Sequence, residues 1–208
     1  MIGIEESIRL LREAAGVETE RKAVSYKFGI FEDCKKALSF YFQRLDKTAT
    51  DFQWLPEYDE IADWMTDTQG KGLLLMGSCG RGKSTILLSV MPVMFFRRFN
   101  MIIHPESAKE LNMPDPQRGK STIGWANVLK RWCIDIDELG TEDKETNYLE
   151  PYEPFNKIID ESEKLIKLLF VSTNLTKEQL LQRYGERSFD RLVRLCRVVD
   201  FNGSSFRK

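Results

Sequence analysis

The sequence predicts an α/β protein whose mainly parallel β-sheet is covered by helices on both faces. From residue 72 onward, short apolar segments alternate with segments whose pattern suits a helix, and this alternation is typical of parallel strands joined by helical crossovers. A glycine-rich turn at residues 77–85 separates the first apolar segment from a helical one. The chain has 208 residues, of which 42% are hydrophobic, so it can bury one substantial core.

Residues 1–70 are predicted to form a helical N-terminal region. Apolar residues recur at intervals of three and four positions in residues 3–16, 33–45 and 57–66, which is the periodicity of amphipathic helices. We therefore expect two parts in the chain, residues 1–70 and an α/β core of residues 71–208.

Five short apolar segments of the core are predicted strands. Turn-forming or polar residues bound them, and each is shorter than a typical helix. They are Leu73–Met76, Met101–His104, Trp132–Ile136, Leu168–Ser172 and Arg197–Phe201.

The turn after the first predicted strand has the spacing G-x-x-x-x-G-K-S, which is that of a phosphate-binding loop. Its residues are Gly77, Ser78, Cys79, Gly80, Arg81, Gly82, Lys83, Ser84 and Thr85. Glycines allow consecutive N–H groups to surround an anion, and the helix expected over residues 84–96 adds its N-terminal dipole. Lys83 supplies a charge for the outer phosphates, and Ser84 supplies a hydroxyl for Mg²⁺.

Such a string also arises by chance in glycine-rich turns. Here an apolar strand precedes it and an apolar helix follows it, and that setting favours nucleotide binding. The expected ligands are ATP and Mg²⁺.

The third predicted strand continues into Asp137 and Glu138. In a phosphate-loop ATPase an aspartate at this position holds the magnesium shell, and the following glutamate polarises the attacking water. Asp135 offers a second register, but Asp137 is the aspartate that a glutamate follows directly. An acidic loop that caps a helix is the alternative reading.

The fourth predicted strand is followed by Thr173 and Asn174. A polar side chain at the carboxyl end of a strand beside the phosphates can hydrogen-bond the γ-phosphate or the attacking water. Asn174 is therefore the candidate sensor, with Thr173 as the second choice. The same residues also suit a turn that leads into a capped helix.

Arg187, Arg191 and Arg194 recur at helical spacing and form a basic stripe. A solvated helix face in which Asp190 pairs locally would give the same pattern. The position after the sensor strand favours a catalytic role instead, because ring-forming ATPases present an arginine there to the γ-phosphate bound by a neighbouring subunit.

The order of these motifs resembles the DnaC/IstB group of AAA+ ATPases, which comprises helicase loaders and transposition helper ATPases. The segments that carry the resemblance are residues 77–85, 134–140, 171–175, 185–187, 190–192 and 199–207. It extends from about residue 70 to the C-terminus. The resemblance implies a P-loop NTPase core of the AAA+ type without a C-terminal lid domain. It also implies that Arg191 is the arginine finger and Arg187 its partner at the subunit interface.

The same resemblance places single-stranded DNA contacts between the second and third strands. That segment offers Arg118, Lys120 and Lys130, with Trp125 for base stacking. Because DNA binding usually requires several phosphate contacts and stacked aromatics, we expect it to be weak. The formal net charge of −1 adds no general attraction to polyanions.

The composition argues against zinc-binding, secreted and membrane-spanning proteins. The four cysteines are far apart and the chain has one histidine, so we expect no zinc site. The N-terminus lacks the layout of a secretion signal and no apolar run has the length of a membrane span. We expect a cytoplasmic protein without membrane contact.

The leading functional prediction is an ATPase that assembles into an ATP-dependent homo-oligomer and delivers a replicative helicase to DNA. The transposition helper, whose partner is a transposase, is the alternative with the same core. A nucleotide-gated adaptor that scarcely hydrolyses ATP remains open, and a small-molecule P-loop kinase is disfavoured because no substrate lid is evident.

Overall fold

The computed structural model describes residues 23–46, 52–111, 125–142, 145–147, 150–152 and 154–203, together with positions 3 and 6. The strands within these residues are β1 (Gly72–Gly77), β2 (Pro105–Ser107), β3 (Cys133–Leu139), β4 (Glu145–Asn147), β5 (Glu150–Tyr152), β6 (Leu168–Thr173) and β7 (Cys196–Phe201).

The helices in the same residues are α1 (Phe31–Leu45), α2 (Pro56–Thr66), α3 (Lys83–Thr85), α4 (Met91–Phe99), α5 (Ala108–Leu111), α6 (Trp125–Val128), α7 (Pro154–Leu165), α8 (Lys177–Tyr184) and α9 (Glu186–Leu195). A π-helical turn, Ile86–Val90, joins α3 to α4. Residues 83–99 are therefore one continuous helical segment that begins in the glycine-rich turn.

A parallel sheet forms the centre of the fold, in the order β2-β3-β6-β1-β7. Strands β4 and β5 make a separate antiparallel hairpin. Since all strands of the main sheet run in one direction, their carboxyl ends meet at one edge. The predicted α/β class is confirmed.

Hydrophobic clusters cover both faces of the sheet. Leu73, Leu75 and Phe170 lie in one cluster with α1, α2 and the helical segment 83–99. Leu74 and Val171 lie in the other, with buried residues of α7, α8 and α9. This alternation along β1 and β6 follows from the two-residue period of a strand that is buried on both sides.

The described residues between positions 23 and 66 pack directly against the α/β core. Tyr26 and Phe28 contact Phe95 and Phe99 edge to face, and the Phe28 N–H donates to the Met65 carbonyl at 3.0 Å. The predicted helices over residues 33–45 and 57–66 correspond to α1 and α2. The predicted helix over residues 3–16 lies outside the described residues apart from positions 3 and 6. The boundary near residue 70 stays a prediction.

One predicted strand is wrong. Residues 101–104 have no strand structure, and β2 begins instead at Pro105. Side chains satisfy two carbonyls of this segment: the Trp132 indole donates to the Ile102 carbonyl at 3.0 Å, and the Arg131 guanidinium donates to the His104 carbonyl at 2.8 Å. The apolar residues are therefore held by side-chain hydrogen bonds, and the ladder with β3 starts later.

Within the described residues, no helix combines the length and the apolar character that crossing a membrane requires.

Candidate nucleotide-binding site

The glycine-rich turn follows β1 at the carboxyl edge of the sheet, beside β7. Gly77 has φ +110°, and a Cβ there would lie 2.4 Å from the Phe201 carbonyl oxygen. The same oxygen accepts the Ser78 N–H at 3.0 Å. Glycine is therefore required at position 77, because both the backbone angle and the close approach of β7 exclude a side chain.

Helices α1 and α2 pack against the second half of the turn. Gly82 is left-handed at φ +89°, and a Cβ would lie 2.6 Å from the Phe42 ring and 2.8 Å from the Tyr58 hydroxyl. That hydroxyl donates to the Arg81 carbonyl at 3.1 Å. The geometry of the loop is thus fixed partly by residues that come before it in the chain.

The side chain of Arg81 is directed to helix α2. Its guanidinium forms a buried ion pair with Glu57 of α2, with Nη2 at 2.5 Å and Nε at 3.1 Å from Oε1. Only 6% of Arg81 and 6% of Glu57 are exposed. The contribution that Arg81 can make to a ligand is therefore that of its main chain. Sequence reasoning missed Glu57, which resembles any acidic residue in the first turn of a helix.

Lys83 is buried beneath the loop. Its ammonium donates to the carbonyls of Gly77 and Ser78 at 2.7 and 2.8 Å, and to Oδ1 of Asn174 at 3.0 Å. Burial lowers the pKa of Lys83, although the nearby Cys79, Asp137 and Glu138 act in the opposite direction. Lys83 and Asn174, predicted from separate motifs, are thus in direct contact.

The remaining loop residues have different surroundings. The Thr85 hydroxyl donates to the Asp46 carboxylate at 2.9 Å, whereas Ser84 is half-buried and Cys79 is exposed. Ser84 begins the helical segment together with Lys83, as a hydroxyl ligand of Mg²⁺ at this position requires.

Asp137 and Glu138 lie at the carboxyl end of β3. Asp137 is 6% exposed and accepts a hydrogen bond from the Ser172 hydroxyl of β6. The Ser172 oxygen in turn accepts the Glu138 N–H at 3.0 Å. Glu138 is exposed and left-handed, with φ +58°. Ser172 therefore links both acidic residues to β6, a role that the sequence did not reveal.

The alternative acid, Asp135, is unsuited to a ligand site. It is fully buried, and neither carboxylate oxygen has a hydrogen-bond partner among the described residues. Burial raises its pKa well above the ordinary value, and the neighbouring Asp137 and Glu106 add to the effect. These surroundings support the register in which Asp137 and Glu138 carry the chemistry.

Asn174 and Thr173 have separate partners. Asn174 faces Lys83, whereas the Thr173 hydroxyl is buried and donates to the Leu139 carbonyl at 2.7 Å. Between the two candidates for the sensor, Asn174 is thus the one that reaches the phosphate loop. The alternative reading of this turn also holds, because Thr176 and Gln179 form a capping box at the start of α8.

The arginine stripe lies on α9. Arg187 is exposed, and Arg191, whose side chain is 17% exposed, pairs with Asp160 and with Glu163 of α7, the latter at 2.9 Å. Arg194 contacts Glu163 and Asp190 at 3.1 and 3.3 Å. The local pair with Asp190 is therefore made by Arg194, and the trans roles of Arg187 and Arg191 stay predictions.

The predicted DNA contacts Arg118 and Lys120 lie outside the described residues, and nothing is described of the Trp125 side chain. Lys130 is exposed at the turn before β3.

Known proteins share this architecture. The crystal structure of the DnaC helicase loader matches with a TM-score of 0.55 at 16% identity, covering 77% of this chain and 98% of that one. The structure of DnaI matches with a TM-score of 0.56 at 16% identity, covering 77% and 93%. The chain has the fold of these two proteins. No protein-family model and no curated protein matches it.

The shared fold includes part of the segment before the phosphate loop. The matches cover 77% of the chain, a larger share than residues 71–208 provide. This agrees with the packing of α1 and α2 on the sheet.

Proposed function

We propose that this chain is an AAA+ ATPase that loads a replicative helicase onto DNA. The main observation behind the proposal is that Lys83 donates a hydrogen bond to Asn174 at one edge of the sheet and lies near Asp137 and Glu138. These four residues come from three different motifs, and together they match the parts needed to bind and hydrolyse a nucleoside triphosphate. The fold shared with the DnaC helicase loader supports the biological role.

The residues present suit Mg²⁺, which prefers hard oxygen ligands. Asp137 offers a carboxylate at the carboxyl end of β3, and Ser84 offers a hydroxyl in the helical turn that follows the glycine-rich loop. When bound, the ion would neutralise phosphate charge and orient the oxygens of the triphosphate. Lys83 adds a positive charge, and Glu138 is exposed, whereas Asp135 is fully buried.

In the proposed reaction Glu138 orients the attacking water and accepts its proton. Asn174, held against Lys83, marks the position of the outer phosphate. Arg191 of a neighbouring subunit would stabilise the charge that develops in the transition state, so the active form is an oligomer. Weak single-stranded DNA binding through residues such as Arg118 and Lys120 belongs to the same proposal.

Two substitutions test the site. Lys83→Ala should abolish tight ATP binding in a titration, because it removes the ammonium of the loop. Glu138→Gln should retain ATP binding and lower phosphate release by a factor on the order of 10² to 10⁴, because an amide cannot accept the proton. Unchanged ATP affinity in the first variant, or equal losses of binding and turnover in the second, would contradict these roles.

The Glu138→Gln protein also tests the partner. With ATP retained, it should recover a replicative helicase from an extract of the source cell, and the Lys83→Ala protein serves as the control that lacks the nucleotide state. Recovery of a transposase would replace the loader role with that of the transposition helper.

A further inference from the structure

The main chain that carries Glu138 is strained. Glu138 is a non-glycine residue at φ +58°, and Gly140 follows at φ +104°. Such angles persist where the surroundings hold them. The Glu138 N–H is bound by Ser172, and its carbonyl accepts the Thr141 hydroxyl at 2.8 Å and the Thr141 N–H at 3.1 Å.

The next residues of this loop are held by a buried carboxylate. The Glu142 side chain is 0% exposed, and its Oε2 accepts the Gly140 N–H at 2.7 Å. Its Oε1 accepts the Tyr184 hydroxyl and lies 3.3 Å from Nη2 of Arg183. A buried carboxylate is stable only with such partners.

Arg183 contacts the loop twice more. Its Nη1 donates to the Gly140 carbonyl and its Nη2 to the Glu142 carbonyl, both at 2.5 Å. The guanidinium thus binds both main-chain carbonyls while it faces the Glu142 carboxylate. An arginine suits this task because its donors form a rigid fork.

The two partners of Glu142 lie at the end of α8. Arg183 and Tyr184 are followed by Gly185, the N-cap of α9, and then by the arginines of that helix. The contacts therefore join the loop after β3 to the helical pair that carries Arg187 and Arg191.

We infer that Glu142, Arg183 and Tyr184 are positioning residues that fix the loop 138–142 and, through it, the direction of Glu138. The inference rests on the proposed ATP hydrolysis, because it assigns these residues to the orientation of the group that activates water. The contacts given above for these three residues are made with the loop after β3 and with one another. Their loss should alter turnover and leave nucleotide binding intact.

Glu142→Gln is the sharpest variant. A glutamine retains one oxygen for Tyr184 but opposes its NH₂ group to the Gly140 N–H, which is a conflict of two donors. We expect kcat to fall roughly 10- to 100-fold, as small displacements of a catalytic group do, with an unchanged dissociation constant for ATP. Tyr184→Phe removes one donor and leaves the Gly140 bond in place, so its loss of kcat should be smaller.

Glu106→Gln is the matched control. Glu106 forms an ion pair with Arg131, just before β3, at 2.6 Å, with side-chain exposures of 14% and 17%. It is a partly buried pair whose arginine precedes the strand that leads to Glu138. Glu106→Gln should lower the midpoint of thermal unfolding about as much as Glu142→Gln does, but it should leave kcat unchanged.

The result that overturns the inference is a Glu142→Gln protein with reduced stability and wild-type kcat. Hydrogen exchange at the Gly140 amide supplies a readout independent of turnover, and it should be faster in Glu142→Gln than in wild type and Glu106→Gln. If the wild-type protein shows no turnover, the proposed function fails. Hydrogen exchange at the Gly140 amide then still decides whether Glu142 fixes the loop. An unchanged exchange rate in Glu142→Gln rejects this role as well.

Discussion

Lys83 and Arg191 are two cations of the candidate site with opposite surroundings. Among the described residues, Lys83 donates its hydrogen bonds to neutral oxygens, two carbonyls and the Asn174 amide. Arg191 is held by two carboxylates of α7, those of Asp160 and Glu163. The phosphate loop thus presents a buried charge without a bonded counterion, whereas α9 presents a charge already paired.

The difference indicates two modes of action. Burial lowers the pKa of Lys83, so an anion that arrives at the loop gains a favourable partner without breaking an ion pair. Arg191 must leave its acidic partners before it can reach a phosphate on another subunit. Its role would therefore depend on assembly, whereas the role of Lys83 is built into the fold of one subunit.

The largest expected effect tests the role of Arg191 between subunits. Arg191→Ala should leave ATP binding nearly intact and lower turnover by a factor on the order of 10³, as the loss of an arginine finger does. Steady-state phosphate release over a series of protein concentrations measures it, since wild-type activity per subunit should rise with concentration.

One mixture and one control variant complete this test. Arg191→Ala protein mixed with Lys83→Ala protein should regain turnover, because one supplies an intact pocket and the other an intact arginine. Arg194→Ala is the matched control, since this arginine of the same helix contacts Glu163 but is 60% exposed. Full activity of Arg191→Ala, independent of concentration, would remove the role in trans.

A second prediction concerns the loop that contains Lys83. Gly82→Ala should lower the free energy of unfolding by about 2 to 4 kcal/mol and weaken ATP binding, because the new Cβ is strained at φ +89° and collides with Phe42 and Tyr58. Chemical denaturation and ATP titration measure the two effects.

Gly185→Ala provides the control for Gly82→Ala. Gly185 also has a positive φ, +84°, but its Cβ would meet nothing within 4 Å. It should lose stability through backbone strain while ATP affinity stays at the wild-type value. Equal ATP affinities in both variants would mean that α1 and α2 do not set the geometry of the loop.

Asp135 extends the comparison to a buried carboxyl group that has no hydrogen-bond partner among the described residues. Its pKa is raised in the folded state, so between the unfolded and folded pKa values the folded protein binds a proton that the unfolded chain has lost. Stability from this group is therefore present at low pH and is lost as the pH rises. Asp135→Val should raise the free energy of unfolding at pH 8 by about 1 to 3 kcal/mol, and by less at pH 5.

Urea denaturation at both pH values measures this effect. Asp135→Asn is the matched control, because it cannot titrate but keeps a buried polar group without a partner. It should lose the same pH dependence and gain less stability. If the free energy of unfolding depends on pH in both variants as it does in the wild type, groups other than Asp135 cause that dependence.

The smallest effect tests the ion pairs of Arg191 directly. Asp160→Asn combined with Glu163→Gln should cost at most about 1 kcal/mol of stability, because these acids are partly exposed. Turnover at low protein concentration should rise, since Arg191 no longer has to leave two carboxylates. Asp190→Asn, which affects Arg194 instead, should leave the concentration dependence unchanged.

The sequence by itself determined the α/β class and the place of the glycine-rich turn of residues 77–85 between a strand and a helix. These depend on local rules: a buried strand shows as an apolar run, glycine shows where the backbone turns, and an acid that follows an apolar strand lies at the sheet edge. Local rules also have limits. They predicted a strand at Met101–His104, where side chains of Arg131 and Trp132 satisfy the backbone instead.

Only the tertiary structure decided which distant side chains support the site. Glu57 pairs with Arg81, Ser172 joins Asp137 to Glu138, and Glu142 meets Arg183 and Tyr184. The members of each group are separated by up to 42 positions in the chain, and no spacing rule connects them. Their contacts arise because parallel strands and packed helices bring remote segments together, and burial then favours polar groups that find a partner.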